Sequence, residues 1–164
     1  MTTRDERFVV DSPVGRLKAE LDEAGRLCRL SWTRDAPVSP QTEAGQRLAE
    51  QLRRYFAGGL DRFDVETNAA GSAFQRAVWD AMCAIPYGET RTYGQLGAIV
   101  GAPARAIGGA CGDNPIPIVV PCHRVLAADG MGGYSGRGGL RTKRALLQLE
   151  GVRLPAEQLA LPLS

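Results

Sequence analysis

Apolar and polar residues alternate with a period of two over three short runs near the N-terminus, Phe8–Val10, Arg16–Leu21 and Arg26–Trp32. Ser12-Pro13-Val14-Gly15 and Glu23-Ala24-Gly25 separate them. A period of two puts alternate side chains on one face, so these runs predict short antiparallel strands joined by turns. Asp35–Thr42 breaks the pattern with prolines and a serine and reads as a loop. From Glu43 to Ala57 the spacing of Leu48, Leu52, Tyr55 and Phe56 is helical, with Gly58-Gly59 as the stop. A further strand over Arg62–Glu66 is expected to return to the sheet.

The second half reads differently. Ser72-Ala73-Phe74-Gln75 matches a capping box, in which serine and glutamine side chains each satisfy an orphan amide of a helix start. Phe74, Ala77, Val78, Ala81, Met82 and Ile85 follow at helical spacing and predict a buried stripe, ended by Pro86-Tyr87-Gly88. Two shorter helices, Tyr93–Val100 and Ala104–Cys111, are divided by Gly101-Ala102-Pro103, the outline of a helix-turn-helix and equally of many ordinary helix pairs. Ile118-Val119-Val120 is apolar and β-branched and predicts a short buried strand that Pro121 closes. Leu140–Leu149 predicts a last helix with Leu140, Leu146, Leu147 and Leu149 toward the core, and Pro155 and Pro162 then break a mobile tail.

A chain of 164 residues with 44% apolar and 23% charged residues has the composition of a soluble globular protein of one or two small domains. The polar N-terminus has no apolar segment behind it, and no run is long enough to span a bilayer, so a cytoplasmic location is expected. Cys28, Cys83, Cys111 and Cys122 form no C-x-x-C pair and only one histidine is present, which points away from a disulfide framework and from a bound metal. The net charge of +2 does not imply a nucleic-acid partner. Its distribution says more: residues 1–71 hold eleven Arg or Lys against twelve Asp or Glu, residues 72–150 eight against five. A phosphate-seeking surface, if present, belongs to the second part. Nearly all the cations are arginine, which suits bidentate and stacking contacts, although a GC-rich genome enriches arginine as well.

Pro121-Cys122-His123-Arg124-Val125 places the only histidine directly after a cysteine. A thiol attacks as its thiolate, and a neighbouring base promotes ionisation. The five residues alone also fit a buried structural thiol beside a surface histidine, because adjacent strand side chains point to opposite faces.

The longer run Asn114–Val125, followed by Gly133-Tyr134-Ser135-Gly136 and Leu146–Gly151, closely resembles the methylated-DNA-protein-cysteine methyltransferases, or O6-alkylguanine-DNA alkyltransferases. The likeness extends through Phe74-Gln75-Arg76, Trp79, Pro86–Thr90, Thr92–Leu96 and Arg105–Ala110, and is only one of outline before Ser72. It implies an α/β N-terminal domain with a small antiparallel sheet over 1–71. A mostly α-helical domain over 72–151 would carry a winged-helix-like helix-turn-helix and the active-site cysteine, and 152–164 would be a tail. The implied function is repair of double-stranded DNA containing alkylated guanine. The alkyl group passes irreversibly from O6-alkylguanine, and from O4-methylthymine, to Cys122, with no cofactor and no metal, by a monomer that needs no membrane. The alternative is a lesion marker that binds alkylated DNA without chemistry.

The resemblance also implies roles. His123, polarised by Glu150, takes the thiol proton through a water, and Asn114 is a hinge before the active-site loop. Arg105 fills the stack vacated by a flipped base, and Tyr93 crowds the adjacent phosphate and faces the guanine. Thr92 and Gly109 contact DNA, while Tyr134, Ser135 and Val125 bind the base. Two departures stand out: a single residue between Pro103 and Arg105, and a longer glycine loop, Gly136-Arg137-Gly138-Gly139, which is expected to be mobile and to bring Arg137 to phosphate.

Overall fold

The computed structural model describes residues 5–154, so the expected tail beyond Leu154 lies outside the described residues. The chain divides into two compact units, Met1–Ala70 and Gly71–Ser164.

In the first unit, β1 (Glu6–Val10), β2 (Leu17–Leu21) and β3 (Leu27–Trp32) form an antiparallel sheet in that order. Phe8 pairs with Ala19 and Ala19 with Leu30, so alternation delivers one cross-strand row of buried side chains. Helix α1 (Glu43–Phe56) adds buried Leu48, Leu52 and Tyr55. Glu6 fixes its entry: the carboxylate accepts from the backbone amides of Gln41 and Thr42 and from the Thr42 hydroxyl, and Thr42 is the residue that caps α1. Burial alone would raise the Glu6 pKa, but these bonds outweigh it and hold it below the usual value. Gly45 is required beside it, since a Cβ there would lie 2.1 Å from the carboxylate.

The expected strand over Arg62–Glu66 is absent. The chain returns to the sheet edge at a single bridge between Thr67 and Leu27, carried by bonds from the Leu27 amide to the Glu66 carbonyl (2.8 Å) and from the Asn68 amide to the Leu27 carbonyl (2.8 Å). Val38, in the proline-containing loop, bridges Val9 on the opposite edge. Both edges are thus partly covered by short irregular segments, a way of avoiding strand-to-strand aggregation.

The second unit contains α2 (Ala73–Cys83), β4 (Arg91–Thr92), α3 (Tyr93–Val100), α4 (Ala104–Gly112), β5 (Val125–Leu126) and α5 (Leu140–Leu149). Reciprocal boxes cap α2, through Ser72 and Gln75, and α3, through Thr92 and Gln95. The buried face of α2 is rotated from the expected stripe. Val78, Trp79, Met82 and Ile85 are buried, whereas Phe74 and Ala77 are exposed. Trp79 takes over the core position because its indole Nε1 donates to the Ala110 carbonyl of α4 (2.9 Å), which satisfies the ring's only polar atom. Leu140 and Leu149 are only half-buried on α5, and Thr142 and Lys143 occupy the core beside Leu146 and Leu147.

The strand expected at Ile118-Val119-Val120 is instead a tight turn, with a Pro117–Val120 bridge and Ile118 in the left-handed region at φ 76°. Pro115, Pro117 and Pro121 remove three backbone donors around this run, so it has no ladder to join. A β-branched residue at positive φ costs about 1–3 kcal/mol and persists where the surroundings over-determine it.

Candidate active site

Asn114 supplies that determination. Its side chain donates to the Val120 carbonyl (2.9 Å) and accepts from the Ile116 amide (3.0 Å), which staples the turn directly ahead of Cys122. The Cys122 amide donates to the Val120 carbonyl (2.8 Å), and the cysteine opens a three-residue 3-10 turn, Cys122–Arg124, that runs into β5. Cys122 therefore sits at a turn-to-turn junction rather than at a strand end.

A cavity of about 430 Å³ is lined by Tyr93, Gly108, Cys111, Gly112, Cys122, Gly133, Tyr134 and Ser135. Its walls come from α3, α4, the 3-10 turn and the loop before α5. Burial pushes the Cys122 thiol above its usual pKa, against the Asn114 hydrogen bond, the charge of Lys143 and the thiol's own backbone amide. The resting group is a thiol, and a base must take its proton.

His123 is fully buried, and its Nε2 lies 2.7 Å from Glu150 Oε2. Burial holds the imidazole below its ordinary pKa, although Glu150 acts in the opposite direction. With Nε2 engaged, Nδ1 is the remaining basic atom, and it has no hydrogen-bond partner among the described residues. Glu150 in turn is gripped by Arg124, whose Nε and Nη2 donate to the two carboxylate oxygens at 2.8 and 3.0 Å while Nη1 donates to the Ile85 carbonyl at 2.7 Å. The Gly88 amide approaches Glu150 Oε1 at 3.5 Å, and the Arg124 guanidinium stacks 5.9 Å from the Tyr87 ring centre. This arrangement of nucleophile, imidazole and anchored carboxylate suits nucleophilic attack with proton removal.

Comparison with known families matches residues 73–152 to the 6-O-methylguanine DNA methyltransferase, DNA binding domain. The methylated-DNA–protein-cysteine methyltransferase of Mycobacterium tuberculosis is 44% identical over 162 residues, spanning 90% of this chain and 93% of its own. That of Methanosarcina barkeri is 49% identical over 152 residues, 87% and 94% of the two chains. The crystal structure of the M. tuberculosis OGT in complex with DNA superposes with a TM-score of 0.77 at 45% identity over 91% of this chain and 94% of that one. The chain belongs to the methylated-DNA–protein-cysteine methyltransferase family.

Of the residues the family resemblance singles out, the structure gathers Cys122, Tyr93, Tyr134 and Ser135 around one cavity, while His123 pairs with Glu150 and Asn114 braces the turn before Cys122. Val125 is buried in β5 and is not among the lining residues. The Thr92 hydroxyl accepts from the Gln95 amide at 3.1 Å, so it serves first as the α3 cap. Arg105 and Gly109 lie one turn apart on the exposed side of α4, which begins directly after Pro103 without a side-chain cap. Gly136–Gly139 is a tight turn into α5, closed by a bond from the Gly139 amide to the Gly136 carbonyl (3.1 Å) and by the Thr142 hydroxyl donating to the Arg137 carbonyl.

Two residues with a place in the site escaped the sequence reading, Arg124 and Lys143. A usable signal existed for Lys143: it falls three residues after Leu140 and three and four before Leu146 and Leu147, on the helix's apolar face. Among the described residues no group of three or more His, Cys, Asp or Glu could hold a metal ion, and no helix is long and apolar enough to cross a membrane.

Proposed function

We propose that this chain repairs double-stranded DNA by direct reversal, moving the alkyl group of O6-alkylguanine to Cys122 in a single, irreversible turnover. The observation that carries the reading is Cys122 in the lining of the 430 Å³ cavity, followed directly by His123, which is paired with buried Glu150 at 2.7 Å. His123 Nδ1 takes the thiol proton through a bridging water, and Glu150, held by Arg124, stabilises the imidazolium without itself accepting the proton. The thiolate attacks the alkyl carbon in line. The S–C bond forms as the C–O6 bond breaks, the electron pair passes to the purine, and the proton held on His123 returns to it, leaving ordinary guanine. The thioether on Cys122 has no leaving group that water can displace, so each molecule acts once. O4-methylthymine presents the same aryl-ether chemistry and is a second substrate.

The base must leave the stack to reach the cavity, at about a few kcal/mol. The α3–α4 pair acts as a winged-helix-like helix-turn-helix, with the Arg105–Gly109 side of α4 in the minor groove, where degenerate readout suits repair at any sequence. Arg105 occupies the vacated stack, Thr92 and Gly109 allow the backbone close to phosphate, and Tyr93, Tyr134 and Ser135 shape the base pocket.

The test is to incubate the protein with a duplex containing O6-methylguanine and weigh it. A gain of one methyl on the Cys122 peptide, lost in Cys122→Ala, is the expected result. Unchanged mass with retained binding would instead make the protein a lesion marker.

A further inference from the structure

Between Asp129 and Glu150 the chain carries four cations, Arg137, Arg141, Lys143 and Arg144, and no acid. No other interval between acids in residues 71–164 holds more than two Arg or Lys, so this is the most one-sided charge in the second unit. The same stretch forms a wall of the cavity through Gly133, Tyr134 and Ser135. Lys143 is turned inward: it is completely buried, and its Nζ donates to the carbonyls of Val125 (2.6 Å), Met131 (2.5 Å) and Gly133 (2.9 Å). Arg144 is half-buried, which leaves Arg137 and Arg141 as the exposed cations of the wall.

We propose that Arg137 and Arg141 form a phosphate clamp on the Gly133–Ser135 side of the cavity, holding the DNA backbone beside the nucleotide whose base enters it. The inference rests on the alkyl-transfer reading of the same cavity. A base that rotates out of the duplex leaves its sugar and two flanking phosphates at the rim. One wall of that rim belongs to α3 and α4, through Tyr93, Gly108 and Gly112. Those two helices carry a single cation between them, Arg105, and its place is in the vacated stack. Charge for the flanking phosphates must therefore come from the other wall.

The local backbone fits that duty. Arg137 follows the cavity-lining Ser135 by two residues, which keeps their Cα atoms within about 7 Å of each other. Its turn is closed by bonds from the Gly139 amide to the Gly136 carbonyl (3.1 Å) and from the Arg141 amide to the Gly138 carbonyl (3.2 Å). The Thr142 hydroxyl donates to the Arg137 carbonyl, and Gly138 sits at φ 89°, where a Cβ would collide with that hydroxyl. The exposed Arg137 side chain is thus carried by a fixed backbone, which lowers the ordering cost of binding. Arg141 stands in the first turn of α5, which has no acidic residue and where the helix dipole disfavours a cation. A phosphate between the two arginines offsets that cost, and a planar guanidinium takes two of its oxygens at once.

The test uses the full chain with an undamaged duplex, the same duplex containing O6-methylguanine, and the free modified base. In the Arg137→Ala/Arg141→Ala double variant, affinity for undamaged duplex at about 0.15 M salt should fall about tenfold. The slope of log K against log salt should flatten by about two, near one for each lost phosphate contact. Methyl transfer from the duplex should slow in step with affinity, while the free base reacts at its native rate. Arg54→Ala, which removes an exposed charge from α1, should leave the slope as it is, and an equal flattening there would reduce the effect to net charge and overturn the clamp. A neutral methylphosphonate on either side of the lesion locates the contact: at one of the two positions the affinity lost by the native chain should disappear as a difference in the double variant. A penalty that persists undiminished at both positions overturns the placement beside the extruded nucleotide, and a native salt slope in the double variant overturns the clamp itself. Methyl transfer by the native chain in that last case leaves the repair reading standing. A flattened slope in a protein that takes no methyl from O6-methylguanine removes the repair reading and leaves a phosphate clamp on duplex DNA.

Discussion

Glu150 ends α5, where the helix dipole disfavours a carboxylate, and yet it is buried with its side chain fully out of solvent. Arg124 and His123 offset both costs. Removing the anion alone leaves Arg124 buried and uncompensated, so Glu150→Ala is expected to lower stability by about 3–5 kcal/mol in urea unfolding. A loss near that of a surface substitution would show that Arg124 reaches water. Asn114→Ala should cost the two bonds that hold Ile118 at positive φ, and methyl transfer should fall together with melting temperature. At this scale Cys122, His123, Glu150 and Asn114 were legible through the family resemblance. Arg124 and Lys143 were not, because a charged residue is assigned to the surface unless its partners are known, and here those partners are backbone carbonyls and a residue 26 positions away.

Elements were legible where caps mark them. Ser72 with Gln75 marked the start of α2 from a four-residue pattern, and the same kind of box at Thr92 and Gln95, which opens α3, was there to be read but was not. Ile118-Val119-Val120 misled, because β-branched composition says nothing about whether a neighbouring strand exists to pair with. The α2 stripe misled for a related reason: period alone located a helix but not which flank Trp79 would turn inward. The α3–α4 pair depends on Gly97, where a Cβ would lie 2.3 Å from the Ala102 carbonyl oxygen. Gly97→Ala should therefore push the two helices apart, costing about 1–3 kcal/mol and weakening binding to undamaged duplex, as read by thermal melting and a binding titration. Arg105 lies on the exposed side of that pair, where its only expected duty is on DNA. Arg105→Ala should slow reaction with duplex O6-methylguanine far more than with the free modified base, since only the duplex requires extrusion. Equal slowing on both would end its role as the inserted finger.

The two units carry different acid sensitivities because different groups are buried in each. In the second unit His123 has a folded pKa below its ordinary 6.5, so the unfolded chain binds the proton first. Stability there falls as pH drops below about 6.5 and continues to fall until the folded pKa is passed. In the first unit Glu6 has a folded pKa below its ordinary 4.5. Its contribution is complete above that value and is lost only as pH falls further, through the folded pKa. The sequence supplies reporters for this: Trp32 belongs to the first unit and Trp79 to the second. In Trp32→Phe, where Trp79 alone reports, denaturant midpoints should begin to decline near pH 6.5. In Trp79→Phe, where Trp32 alone reports, they should hold until about pH 4.5. Coincident declines in the two variants would mean that the His123 and Glu6 networks do not act within separate units, whereas an earlier decline at Trp32 would reverse the order that their pKa shifts require.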